Sequence, residues 1–137
     1  MILIIGCGRL GASLATRLCQ AGQEIVVVDH LRENLAQNLP RDFRGRPICG
    51  LEIDADVLRR AGIERADHVV IVSRDENTNM MAADVARHLF GIDRIVVRID
   101  QPDCARRYRE EGFEVISPVL ESARWVEERI QTATKEA

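Results

Sequence analysis

The feature that most constrains this chain is a short apolar run, Ile2 to Ile5, leading directly into the loop Gly6-Cys7-Gly8-Arg9-Leu10-Gly11. Apolar residues then recur at Leu10, Leu14 and Leu18, with Ala15 beside them, a helical period. The order is strand, glycine turn, helix. Three glycines at this spacing are a weak signal alone, but their position between a strand and a helix makes them specific. A second β-branched run, Ile25 to Val28, ends in Asp29, where this arrangement expects an acidic residue. Gly6 is expected to permit the turn, Gly8 to let a pyrophosphate approach the backbone, and Gly11 to let the helix pack closely on the sheet.

The rest of the chain continues the alternation. Leu31 to Leu39 reads as a short helix closed by Pro40, Pro47 to Gly50 as a weak third strand, and Ala55 to Ala61 as a helix opened by Asp54. His68 to Val72 reads as a buried strand, Thr78 to Phe90 as a helix stopped by Gly91, and Arg94 to Ile99 as a fifth strand. Asp103 to Glu111 is predicted helical, and Val115 and Ile116 form a short sixth strand. Pro118 suits the opening of a last helix from about Val119 to Thr132. Parallel strands need crossover connections, so the expected fold is α/β: a Rossmann-like, doubly wound, six-stranded parallel sheet in a single domain with a C-terminal helix.

Composition narrows the function. The 137 residues suit one domain, with 46% hydrophobic and 30% charged residues placing the chain among globular proteins. A net charge of -3 gives no electrostatic reason to expect nucleic acid. No apolar run approaches the roughly 18 residues of a membrane span, and no targeting pattern follows Met1, so a cytoplasmic location without membrane insertion is expected. Cys7, Cys19, Cys49 and Cys104 form no metal or redox spacing and are expected as reduced, mostly buried thiols, with no metal site.

The candidate ligand is an adenine nucleotide: NAD(H), ATP, ADP or AMP. The helix N-terminus offers free N–H groups to phosphates, and Asp29 can accept from ribose hydroxyls and repel a 2′-phosphate, although Arg32 stands nearby. Arg9 reads either as a bidentate phosphate contact or as a solvated first-turn side chain. His30 adjoins Asp29 and is placed against the adenosine portion. Catalytic pairs are missing, since Lys135 and Tyr108 are the only lysine and tyrosine and are far apart in sequence. His68 and His88 suit core or surface roles, and Ser13 and Ser73 lack a positioned base; Ser73 is placed among the candidate cofactor-binding residues. No enzyme is expected.

With these residues assembled, the sequence resembles the nucleotide-binding RCK domain family, also called KTN or TrkA-N. The resemblance adds Ala61-Gly62-Ile63, Ala66-Asp67, the Val69 to Val72 strand, the Asp75 to Asn79 turn, Arg98, and Ile116-Ser117-Pro118. It implies a cytosolic regulatory subunit of a potassium transporter or channel, sensing NAD(H) or ATP/ADP and held at the inner membrane through that partner. It further implies that Gly6, Cys7, Gly8, Arg9, Leu10, Gly11, Asp29 and Arg98 bind the nucleotide. Asn79 matches a family position that a plain helix cap would equally explain. Where members carry Gly-Asp or Gly-Asn after strand three, this chain has Gly50-Leu51-Glu52, so Glu52 is the remaining candidate for an adenine contact. The effector-binding domain of many members is absent from the sequence, consistent with either a truncated or a stand-alone chain.

Residues 1–118 are therefore read as the nucleotide-binding domain and 119–137 as a C-terminal helix. Val119, Ala123, Val126 and Ile130 recur on one face with Trp125 beside them, a stripe that would either close the core or pack between subunits of a homodimer or larger ring. The competing readings are a small NAD-dependent oxidoreductase lacking its substrate domain and a redox-sensing repressor component. The second lacks a basic recognition helix.

Overall fold

The computed structural model describes residues 1–136. Six strands, β1 (Ile2–Ile5), β2 (Ile25–Asp29), β3 (Arg46–Cys49), β4 (His68–Ile71), β5 (Ile95–Arg98) and β6 (Glu114–Ile116), form one sheet in the order β3-β2-β1-β4-β5-β6. Every pairing is parallel. Six α-helices connect and follow them: α1 (Arg9–Gln20), α2 (Arg32–Asn38), α3 (Ala55–Arg60), α4 (Glu76–Asp84), α5 (Pro102–Glu110) and α6 (Pro118–Glu136). The strand order reverses beside β1, so β1 and β4 part their crossovers to opposite faces and leave a crevice above their C-terminal ends.

The core lies in two layers because alternate residues of each parallel strand face opposite ways. Ile4, Val27 and Val70 face Ala12 and Ala15 of α1, with Leu35 of α2 packed against that layer. Leu3, Val26, Val28, Val69 and Val97 face Leu58, Ala82, Ala83 and Ala105 of α3, α4 and α5. Ala at the helix positions lets the backbones approach the sheet closely, which is why β2 is buried along its full length.

Several boundaries differ from the sequence reading for physical reasons. β3 is an edge strand, with three of its four residues exposed, so it carries little apolar signal. The helix expected from Thr78 to Phe90 is α4 followed by a π-helical turn at Val85–Leu89, where the Phe90 N–H reaches back five residues to the Val85 carbonyl at 3.4 Å. A 3-10 turn at Ile63–Arg65 was not anticipated. His68 opens β4 exposed, not buried. Only Cys7 is a buried thiol; Cys19 and Cys104 are half-buried and Cys49 is exposed, correcting the expectation of mostly buried cysteines.

The final helix does not close the core. None of its described residues is buried, and Val119, Trp125, Val126 and Ile130 are between 50% and 63% exposed. Ser117 caps it, its Oγ accepting from the Leu120 N–H at 3.2 Å.

Candidate functional site

A cleft of about 640 Å³ opens above the strand ends at the reversal of strand order. Its floor is the glycine loop. Gly6 holds φ at 102°, a left-handed conformation that side chains disfavour, and a Cβ there would lie 2.5 Å from the Ser73 nitrogen. Gly11 is more tightly held still, since its Cβ would stand 1.9 Å from the Gly6 carbonyl oxygen. These two glycines are demanded by the protein's own packing. Gly8 is different: a Cβ there meets only the Arg74 side chain, at 3.8 Å, and the residue faces the cleft. Gly8 is also the N-cap of α1 and offers no side-chain cap, so the first-turn N–H groups are left toward the cleft.

One end of the cleft is acidic. Asp29, 3% exposed, accepts from the Cys7 N–H at 2.8 Å and the Leu31 N–H at 2.8 Å, and Asn34 Nδ2 reaches both its oxygens at 3.2 Å. The carboxylate thus ties the glycine loop to the start of α2. Glu52 is 2% exposed, and its Oε1 accepts from both the backbone N–H of His30 at 3.1 Å and the ring Nδ1–H at 2.7 Å. Among the described residues Oε2 of Glu52 has no hydrogen-bond partner, and Glu52 lines the cleft. The bond to Glu52 raises the pKa of His30 above its ordinary value; burial opposes this, and the charges of Glu52 and Asp29 reinforce it. One ligand atom from each of Asp29, His30 and Glu52 lies within 4.8 Å of the others, and the Glu52 bonds hold the segment after β3 against His30 at the end of β2. Cys7 lies beneath, and burial, then the Asp29 charge, pushes its thiol up to about 11.

The other end is basic. Arg9 from α1, Arg74 from the β4–α4 loop and Arg98 from the end of β5 line it. Arg98 is paired, its Nε 3.3 Å from Asp100 Oδ2. Beneath them Asn79, fully buried, accepts from the Ser73 N–H at 3.0 Å and the Ser73 hydroxyl at 2.7 Å, and donates to the carbonyls of Ser73 and Arg98 at 2.8 and 3.1 Å. The helix cap of α4 is Asp75, so Asn79 serves instead to tie together the ends of β4 and β5. A cleft with hydrogen-bond acceptors at one end, and N–H groups with guanidinium groups at the other, suits a ligand with hydroxyl or amino donors at one pole and anionic oxygens at the other.

A family model described as the TrkA-N domain matches residues 2–118. The chain belongs to the TrkA-N family. This TrkA-N domain is 37% identical over 129 residues to the Trk system potassium uptake protein TrkA of Streptomyces coelicolor, covering 94% of the chain and 56% of that relative. The chain therefore spans little more than half the length of that protein. Among solved structures, GsuK bound to ADP is 26% identical with a TM-score of 0.75, covering 91% of this chain and 32% of that one. The Kef CTD of Shewanella denitrificans in AMP-bound form, at 21% identity, shares the fold with a TM-score of 0.80 and covers 97% of this chain and 80% of that one.

Within the TrkA-N domain the structure brings Gly8, Arg9, Leu10, Asp29, His30, Glu52, Ser73 and Arg98 to one cleft. Gly6, Cys7 and Gly11 lie beneath it as its frame, buried among the loop and strand ends. Sequence reasoning missed Asn34 and Arg74, both of which line the cleft. Asn34 stands in the first turn of α2, after the end of β2, and no periodic spacing ties it to Asp29. Arg74 had no signal beyond its place after a strand end.

Proposed function

We propose that this chain is a nucleotide-sensing regulatory module of a potassium uptake system or channel, binding an adenine nucleotide in the cleft of the TrkA-N domain. The observation that carries the reading is Gly8. Its missing side chain is not required by the surrounding protein, yet it keeps clear the space before the uncapped start of α1. Asp29 and Glu52 would receive the adenosine, Glu52 through its unpartnered oxygen, while Gly8, Arg9, Leu10, Ser73 and Arg98 would face the phosphates. NAD(H), ATP, ADP and AMP all meet this description. The relatives' names support the potassium link, and the AMP and ADP of the neighbouring structures support the ligand class.

The domain is read as a sensor and not an enzyme. His68 and His88 are exposed and outside the cleft, and the Tyr108 hydroxyl donates to Asp84 at 3.0 Å, away from it. Residues 1–118 form the sensing unit, and α6 with its open apolar stripe suits packing against a second copy in a homodimer or ring. No described helix is long and apolar enough to cross a membrane. In this reading a transporter partner, to which the relatives' names point, holds the module at the cytoplasmic side.

The test is thermal stability against NAD+, NADH, ATP, ADP and AMP. A ligand at 100 times its Kd should add about 2.7 kcal/mol of stability. The gain should vanish in Gly8→Asp, which fills the cleft without breaking an internal bond. Silence with every nucleotide would remove the proposal.

A further inference from the structure

We infer that Arg74, acting with Arg9 across the glycine loop, makes this cleft selective for adenosine di- and triphosphates over both AMP and the dinucleotide NAD. The inference rests on the nucleotide reading above and narrows it. Arg74 is held in place by its neighbour: the Ser73 N–H and carbonyl are both bonded to buried Asn79, at 3.0 and 2.8 Å, which fixes the chain where Arg74 leaves it. From there its Cγ comes within 3.8 Å of the point where a Gly8 Cβ would stand. The guanidinium therefore starts from the far wall of the cleft, beside the α1 N-terminus. Arg74 and Arg9 are exposed and make no ion pair with a described residue, whereas Arg98 is already committed to Asp100 at 3.3 Å.

The lining beyond the loop points the same way. Past Gly8 the wall consists of Val72, Ser73, Arg74, Asp75, Thr78 and Arg98, and Val72 is only 3% exposed. The carboxylate there, Asp75, is occupied by the Asn77 N–H at 3.1 Å and the Thr78 hydroxyl at 3.0 Å. This half of the cleft presents no aromatic or open aliphatic face for a second base, which stacking sites on proteins ordinarily supply. It presents guanidinium groups. A first phosphate at the start of α1 leaves any further phosphate to continue across Gly8 toward Arg74, where a planar fork of donors meets anionic oxygens. A dinucleotide would instead set its nicotinamide riboside among charges.

The experiment is calorimetric titration of the purified chain with AMP, ADP, ATP and NAD+, in wild type and Arg74→Ala, with Gly8→Asp as the control for the site. Wild type should bind ADP and ATP at least roughly tenfold more tightly than AMP or NAD+, the scale of one added charge-assisted contact. Arg74→Ala should erase most of that margin and leave AMP within about twofold. AMP or NAD+ binding as tightly as ADP would overturn the selectivity, and so would an Arg74→Ala variant that weakens all four ligands equally or none. In those cases nucleotide binding abolished by Gly8→Asp would still stand. Absence of binding by every nucleotide would overturn both readings.

Discussion

The buried amide of Asn79 meets Ser73 through three hydrogen bonds: it accepts from the Ser73 N–H and hydroxyl at 3.0 and 2.7 Å and donates to the Ser73 carbonyl at 2.8 Å. A fourth bond, to the Arg98 carbonyl at 3.1 Å, spans to the next strand. Both halves of the amide are needed, one oxygen for two donors and one nitrogen for two acceptors. Asn79→Ala should therefore destabilise the fold by about 2–4 kcal/mol, since it strands buried backbone groups. Asn79→Asp should cost as much or more, because it turns an acceptor toward two carbonyls. Urea denaturation with an unchanged slope checks this. A midpoint indistinguishable from wild type in both variants would refute it.

The glycines of the loop divide by role, and two substitutions separate them. Gly11→Ala places a methyl 1.9 Å from the Gly6 carbonyl oxygen, a backbone collision that no rotamer relieves. It should lower stability by about 3 kcal/mol or more. Gly8→Ala meets nothing closer than 3.8 Å and should cost about 1 kcal/mol or less, mostly from the poor N-capping of Ala. Its larger defect should be a lost nucleotide-induced shift. Comparable unfolding temperatures for the two variants would contradict this division.

The fold was legible in the sequence because its signals are local. β1, β2 and β5 are short runs rich in Ile and Val, β2 buried along its whole length, and Gly6 to Gly11 announces the first βα turn. The edge strand β3 was harder to place because three of its residues are exposed and obey no burial pattern. The π-helical turn at Val85–Leu89 has no periodic signature of its own, so the helix was read straight through it. At the site, sequence located Asp29 and Glu52 but not their present partners. That Asp29 is bonded to Cys7, Leu31 and Asn34, and Glu52 to His30, depends on strand ends brought together by the sheet. Arg74 was invisible for the same reason: only the fold sets it opposite Gly8.

The cysteines should react in order of exposure and ionisation. Cys49 is exposed, while Cys7 is fully buried and its thiol is pushed up to about 11 by burial and by Asp29. Since the thiolate is the nucleophile, native iodoacetamide labelling followed by mass spectrometry should modify Cys49 first and Cys7 last. Labelling of Cys7 as fast as Cys49 in the folded protein would show that the loop opens.

His30 and Glu52 make the cleft's acidic end sensitive to pH. The bond to Glu52 raises the histidine's pKa, so the ion pair's stabilisation is fully present below the unfolded value of about 6.5 and is lost as pH rises through the folded value. Glu52→Gln should lower the His30 pKa, read by NMR titration of the ring protons. The stability gap between wild type and this variant should narrow as pH rises past the folded pKa. A gap independent of pH between 5 and 9, on the order of the histidine range, would discard the pairing.

A chain of polar contacts runs from the cleft to the exposed final helix. Arg98 Nε donates to Asp100 Oδ2 at 3.3 Å, the Ser117 hydroxyl donates to Asp100 Oδ1 at 2.6 Å, and Ser117 in turn accepts from the Leu120 N–H at 3.2 Å in the first turn of α6. Burial pushes the Asp100 carboxyl up, but the bonds from Ser117 and Arg98 outweigh it and hold its pKa below the ordinary value. That contribution to stability is present above the unfolded pKa of about 3.9 and is lost as pH falls through the folded value. An anion that draws Arg98 toward the cleft competes with Asp100 for the same guanidinium, and loosening Asp100 frees the cap of α6. Asp100→Asn should therefore tighten ADP binding by roughly three- to tenfold, the effect of releasing one charge-assisted pair. It should also lower hydrogen-exchange protection in the first turn of α6, because the cap residue loses its partner. The two effects belong together: tighter binding with unchanged α6 protection would mean that Arg98 and the helix start are independent, and the route from ligand to helix would have to lie elsewhere in the fold.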